Sequence, residues 1–470
     1  MRRALGIPLL AFVLSCAGGA SPRFAWDEPP APPRDVPVVD AADLHRFALA
    51  NGVSILVLED PRLPAIEMGL SVPRGSAIET PDEAGVAVFT AELMQQGAGD
   101  RDALALAEAV DSLGAHLSVD AGPDAMSVAL GGLSRDRAFL LGVLADVAMR
   151  PRMSPAEAAR VRQRQLAGLR QAGDDPGTLA RWTFRDVLHG GTRAGLPAAG
   201  TPEAVAGFDA ETARAFHRRV FTPEGALLWA VGDVDAETFR AEAEAAFAGW
   251  QGPPLAAPAA RMGDTGERRI VVVDWPGLAQ AQILVGHEGI ARGDADRLPV
   301  QLMNTVLGSA GFSSRLMSKV RAEEGLTYGI GSIFSQQRSG GTFAVSTFTE
   351  VGQVGHLLAL TLGELERIRT EPPTEAELAW ARSLRAGRFA LSLETSGAVM
   401  GALVDLEMHG LPRDTIDTYR RRVRALTAAE VARAARDHVD AARCSIVVIG
   451  PADVLVPQLE PFGTPQVRAR

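Results

Sequence analysis

Residues 74–98 read RGSAIETPDEAGVAVFTAELMQQGA. A helix following Gly85 would carry Val88, Ala91 and Glu92 on one face, because positions three and four apart stack above one another. Only Glu92 among them could bind a metal. The next place to look for a ligand is the helix entered at Ser154-Pro155, but no acidic residue lies between Glu157 and Asp174. The histidines do not help. His45, His116, His189, His217, His287, His356, His409 and His438 are scattered, and none has another histidine three to five residues away. His287 and Glu288 are adjacent on a predicted strand and point to opposite faces, so they are not expected to share a ligand. Glu92 alone reads as a solvated helix residue.

Working outward, short apolar runs flank this stretch. Residues 53–59 form one, and Ile66, Met68, Leu70 and Val72 alternate with smaller or polar partners, which predicts strands. Residues 270–273, 281–285 and 342–348 read the same way, and 101–113 and 209–220 read as helices. The runs 115–120 and 125–130, hinged at Gly122-Pro123-Asp124, predict a strand pair whose role is packing, with peptide addition to its edge as the alternative.

The chain repeats itself. Ser154-Pro155-Ala156-Glu157 opens a helix with a capping serine, and Thr374-Glu375-Ala376-Glu377 follows the same logic 220 residues later. The run Leu227 to Gly232 has its counterpart in Ser445 to Gly450, 218 residues on. The reading is an α+β fold of two homologous α/β sandwich halves, each an antiparallel-rich sheet plus helices. The expected boundaries are 41–250 and 269–462, joined by a Pro- and Ala-rich linker at 251–268 and followed by a tail at 463–470.

The frame Arg74, Gly75, Ser76, Glu83, Gly85, Ala87, Phe89 and Gly97 resembles the zinc-binding segment of the pitrilysin/insulinase-type metallopeptidases, the inverzincins. Further resemblance lies in 275–281 (WPGLAQA), 307–316 (LGSAGFSSRL) and 321–328 (RAEEGLTY), so it spans about 44–450. Members carry H-x-x-E-H where this chain has Val88, Ala91 and Glu92, and a third ligand Glu that would fall near Ala167 or Gly168. The resemblance therefore implies a processing-peptidase-like, non-catalytic subunit. It would hold no cofactor, and zinc would sit in a partner with an intact H-x-x-E-H. It also implies that Arg321 and Tyr328 reach substrate peptide across a shared chamber. Locally, Arg321 is expected in the last turn of a helix ended by Gly325, with Tyr328 on a strand that starts at Leu326.

A formal charge of −10 with no basic stripe argues against nucleic acid. Hydrophobic content of 47% with 5% aromatics fits a globular protein. Arg2 and Arg3 precede an apolar run too short to span a bilayer, which predicts a signal peptide over 1–15. That run ends in Val13-Leu14-Ser15-Cys16-Ala17, which looks like a bacterial lipobox with lipidation at Cys16. Residues 16–40 then form a Pro-rich tether. The expectation is a periplasmic lipoprotein, outer-membrane anchored. Two other readings stand beside the subunit: a non-enzymatic peptide-binding or scaffold lipoprotein, and an enzyme with displaced ligands.

Overall fold

Runs of β-branched and aliphatic residues pair into two six-stranded sheets. The computed structural model describes residues 38, 42–257, 262 and 266–470; the signal segment and Cys16 lie outside them. The first sheet contains β1 (Leu44–Ala48), β2 (Ser54–Glu59), β3 (Ala65–Val72), β4 (His116–Ala121), β5 (Met126–Leu133) and β6 (Leu227–Gly232), in the order β1-β2-β6-β3-β5-β4. The second contains β7 (Ile270–Asp274), β8 (Gln280–Gly289), β9 (Ile330–Gln337), β10 (Gly340–Glu350), β11 (Ser445–Gly450) and β12 (Pro465–Ala469), in the order β12-β7-β11-β8-β10-β9.

The two orders superimpose. β2, β3, β4, β5 and β6 have β7, β8, β9, β10 and β11 as their counterparts. In each sheet one central pair is parallel, β2 with β6 and β7 with β11, while the rest of the shared ladder is antiparallel. The sixth strands break the symmetry. β1 comes from before its sheet and runs antiparallel to β2, whereas β12 comes from the end of the chain and runs parallel to β7. Residues 463–470, expected as a tail, thus carry a strand. It is held there by Arg468, 2.7 Å from Asp186, and by Arg470 lying 3.9 Å from the centroid of Trp275.

Five helices set the architecture around the site: α1 (Val86–Met94), α2 (Pro155–Gly173), α3 (Pro176–His189), α4 (Glu375–Leu391) and α5 (Ser396–His409). The capping residues read from the sequence are in place. Ser154 accepts from the Glu157 N–H, and Thr374 and Glu377 complete a reciprocal capping box. The two halves exchange helices. Ala180, Phe184, Val187 and Leu188 of α3 pack on Val271, Val273, Val447 and Ile449 of the second sheet. Val399, Met400, Leu403 and Leu406 of α5 pack on Leu56, Leu58, Leu227 and Val231 of the first. The opposite sheet faces are covered by helices of their own half. Burial on both faces is why β2 and β7 read as nearly unbroken apolar runs. Each large side chain so buried contributes on the order of 1.5–3 kcal/mol.

The exchanged helices end in residues 220 apart, His189 and His409. His189 Nε2 lies 3.3 Å from Thr342 Oγ1 of β10. His409 Nε2 lies 3.3 Å from Asp124 at the β4–β5 turn, and its Nδ1 lies 3.1 Å from the carboxylate of Asp405. Arg338, at the β9–β10 turn, closes the network. Its backbone N–H donates to Asp124 at 2.8 Å, and its guanidinium donates to the carbonyls of Pro73 and Met408. Arg292 pairs with Asp405.

Candidate functional site

The frame of the 74–98 stretch has a structural role at Gly75, Ser76, Glu83, Gly85 and Phe89. A side chain at Gly75 would stand 2.0 Å from the Gly122 carbonyl. Only glycine lets Ser76 and Ala77 donate their N–H groups to Gly122 and Pro123 at 2.9 and 3.0 Å, which clamps the β4–β5 turn. Glu83 completes a capping box with Thr80 and pairs with Arg219 at 2.7 Å. Gly85 starts α1 at φ 97°, where a Cβ would meet the Ala199 carbonyl at 2.5 Å. Phe89 is fully buried.

Below this frame lies a feature with no sequence signal, the buried pair Glu79 and Arg193. The Glu79 carboxylate accepts the N–H groups of Gly85 (3.0 Å) and Ala87 (2.7 Å), satisfying orphan donors at the start of α1, and it takes the Arg193 Nε–H as well. Burial pushes its pKa up, against the opposing pull of the Arg193 guanidinium and the helix N–H groups.

The helix so anchored is the one that should carry the metal. α1 packs between edge strand β4 and helix α2. Val88 is half-buried and Ala91 is buried. The Glu92 carboxylate is bound by Arg164 of α2, at 3.1 Å from Nε and 2.7 Å from Nη2. Ala167 and Gly168, where a third ligand would project, are exposed one turn beyond Arg164 on the same helix. A cation from α2 therefore occupies the one carboxylate on this face. Arg160 extends the contact to the Gln96 side chain at 2.6 Å. These residues do not fit zinc, which takes three or four N, S or O ligands. Among the described residues the one grouping of three such groups is Asp294, Asp296 and His438, in the second half. Asp296 there is already paired with Arg433 and His438.

His287 is not a ligand either. It is buried against Phe343, faces the Glu288 carbonyl through Nδ1 and accepts the Asp440 N–H through Nε2 at 3.1 Å. Burial holds its pKa below the usual histidine value. Cys444 is likewise buried, with its thiol pushed up to about 12.

The 307–328 segment divides its two arginines. Arg315 is buried and forked onto Glu377 of the α4 capping box at 2.7 and 3.0 Å, which holds that carboxyl down at about 2. Arg321 sits in the last turn of a π-helix, Met317–Glu323, with its guanidinium 4.3 Å from the centroid of the Phe312 ring. Gly325 ends that turn at φ 68°. Tyr328 is not on a strand. β9 starts at Ile330, because the Leu326 carbonyl is taken by Thr349 and the Thr327 hydroxyl closes a turn on Gly329. Tyr328 is 79% exposed and Phe312 73%. Among the described residues neither the Arg321 nor the Tyr328 side chain makes a hydrogen bond or ion pair, and the Arg321 carbonyl accepts the Gly325 N–H at 3.1 Å. The sequence pointed to Arg321 and Tyr328 but not to Phe312, whose role shows only in the stacking.

Residues 54–180 match the family described as insulinase (peptidase family M16), and residues 207–384 match the peptidase M16 inactive domain. The chain is 28% identical over 413 residues to an uncharacterized zinc protease of Streptomyces coelicolor, covering 87% of this chain and 90% of that one. It is 27% identical over 424 residues to one of Mycobacterium tuberculosis, covering 89% and 96%. Among solved structures it resembles a peptidase M16 inactive domain from Pseudomonas fluorescens, with a TM-score of 0.81 and 26% identity over 87% of this chain and 98% of that one. A protease from Helicobacter pylori shares the fold, with a TM-score of 0.78 and 18% identity. With both halves matched and the duplicated sheets on either side of the linker, the chain belongs to peptidase family M16, as a member without the H-x-x-E-H motif.

Proposed function

We propose that this chain is the non-catalytic subunit of a heterodimeric zinc peptidase in the bacterial periplasm, held to the outer membrane by lipid on Cys16. The observation that carries the reading is a contrast between the two halves. In the first, the metal helix is closed by Glu92 and Arg164. In the second, Tyr328 is exposed and Arg321 half-buried, and among the described residues neither side chain spends a donor. A partner with an intact H-x-x-E-H supplies zinc, which when bound polarises the scissile carbonyl. This chain's part is to bind and orient peptide: the Arg321 fork suits a carbonyl or carboxylate, and the Tyr328 phenol suits a developing oxyanion.

The test begins with a mild-detergent pull-down of the tagged chain from its native membranes. A stoichiometric M16 relative carrying H-x-x-E-H is the expected companion. In the reconstituted pair, Tyr328→Phe should lower kcat by about a hundredfold, and Arg321→Ala should lower kcat/KM, with neither dissociating the subunits. Recovery of the chain without such a relative, or wild-type turnover in both variants, sinks the proposal and leaves the scaffold reading.

A further inference from the structure

Val38 is attached to the rest of the described chain by a specific contact. The Val38 N–H donates to Asp417 Oδ1 at 2.8 Å, and its side chain packs into the cluster beneath α5. Asp417 lies in the first turn of α6 (Thr415–Ala425), whose sequence TIDTYRRRVRA carries four arginines and one aspartate. α6 packs against α4, with Phe389 stacked on Tyr419 at 4.1 Å and Arg382 donating to the Leu426 carbonyl at 3.0 Å. Those two contacts set the helices antiparallel, so that the end of α4 carrying Arg385 and Arg388 runs past the middle of α6, which carries Arg421 and Arg422. Arg388, Arg421 and Arg422 are exposed. Among the described residues none of these four side chains makes a hydrogen bond or ion pair, and the Arg385 Nε is buried without a partner. The acids of α6 and its cap are Asp414 and Asp417; Asp417 accepts the Val38 N–H and keeps its charge one turn before Arg421, so the balance of the helix is carried by its four arginines. Leu391, 71% exposed, closes the end of α4.

We infer that the face formed by α4 and α6 is a docking surface for a bilayer bearing anionic phospholipid headgroups. Guanidiniums without ion-pair partners on two adjacent helices, in excess over the neighbouring Asp414 and Asp417, form a local positive field within a chain of net charge −10. Val38 is bound at the first turn of α6, on this same face. The orientation of that face toward the membrane rests on the lipid-anchor reading. Cys16 is 22 residues before Val38, so the tether reaches no further than about 75 Å, at roughly 3.4 Å per residue. An anchor there raises the effective concentration of lipid at the face nearest the tether. Arginine forks bind phosphate oxygens, and the stem of Leu391 suits the headgroup boundary.

The test protein is the mature chain 16–470 carrying Cys16→Ser, which contains the whole described body and no lipid. It is sedimented with vesicles of phosphatidylcholine alone and with vesicles containing phosphatidylglycerol. Binding is expected only to the second, and should weaken as salt rises. Arg421→Glu with Arg422→Glu should reduce affinity by more than tenfold, since each basic residue at an anionic surface accounts for about fivefold. Arg385→Gln with Arg388→Gln should reduce it by a smaller factor. The remote control Arg135→Glu, on a side chain 77% exposed in the first half, should leave it unchanged. Equal binding to both vesicle types, no binding, or an equal loss in the control overturns the inference. Labelled palmitate supplied to cells making the wild-type chain tests the anchor separately. Its absence from Cys16 removes the anchor and leaves the vesicle result standing.

Discussion

Glu79 and Arg193 show how far a single position can matter without touching a substrate. The Glu79 carboxylate is the shared acceptor of two α1 N–H groups and a buried guanidinium. Glu79→Ala strands all three, and should lower unfolding stability in urea by about 3–5 kcal/mol. A loss under 1 kcal/mol would show that water replaces the carboxylate. Glu92 and Arg164 lie only one helix further along, yet they are half-exposed, at 35% and 53%. Removing either should cost less than about 1 kcal/mol, because solvent screens the pair. The two pairs were not equally legible. Glu92 stood out as the sole acid among the three motif positions, whereas nothing around Glu79 marks it as buried, since its partner is 114 residues away.

Between elements, the contact most open to measurement is the end of α5 against the β4–β5 turn. Asp124, then Asp405, raise the His409 pKa to about 9 from an ordinary 6.5, while Arg338 and Arg292 bond the same two carboxylates. A raised folded-state pKa means that the imidazolium stabilises the native state fully below about pH 6.5. That contribution falls as pH rises toward 9 and is lost above it. Its size is on the order of 2–3 kcal/mol. Urea titrations at pH 6 and pH 9.5 should show this drop in wild type and a smaller one in His409→Gln. An equal slope in both would place the pH dependence elsewhere. The strands and capped helices were legible because their signals are local: alternation in β3, a serine before Pro155, a threonine three before Glu377. The start of β9 was not, since the Leu326 carbonyl is diverted to Thr349, a residue of the neighbouring strand.

For the whole molecule, the exchanged helices are the main determinant. α3 and α5 are each continuous with one half in sequence and packed on the sheet of the other. The halves are therefore expected to unfold together. Limited proteolysis confined to residues 251–268 should yield two fragments that still co-elute on size exclusion. Phe184→Ala, which hollows the α3 contact, should cost about 3–5 kcal/mol and lower both halves' melting together. Two separate transitions in wild type, or separation of the nicked fragments, would show the halves to be independent.

By itself the sequence determined the family frame, the twofold repeat at an offset near 220, the missing ligands and the segment containing Arg321 and Tyr328. These are patterns of period, spacing and residue type, which the local chain carries. Only the tertiary structure decided that the halves trade helices, that β12 completes the second sheet, that Arg164 binds the one acid left on the metal face, and that Phe312 lies under Arg321. Each of these depends on residues brought together by burying both faces of two sheets, and their separation along the chain leaves no periodic trace.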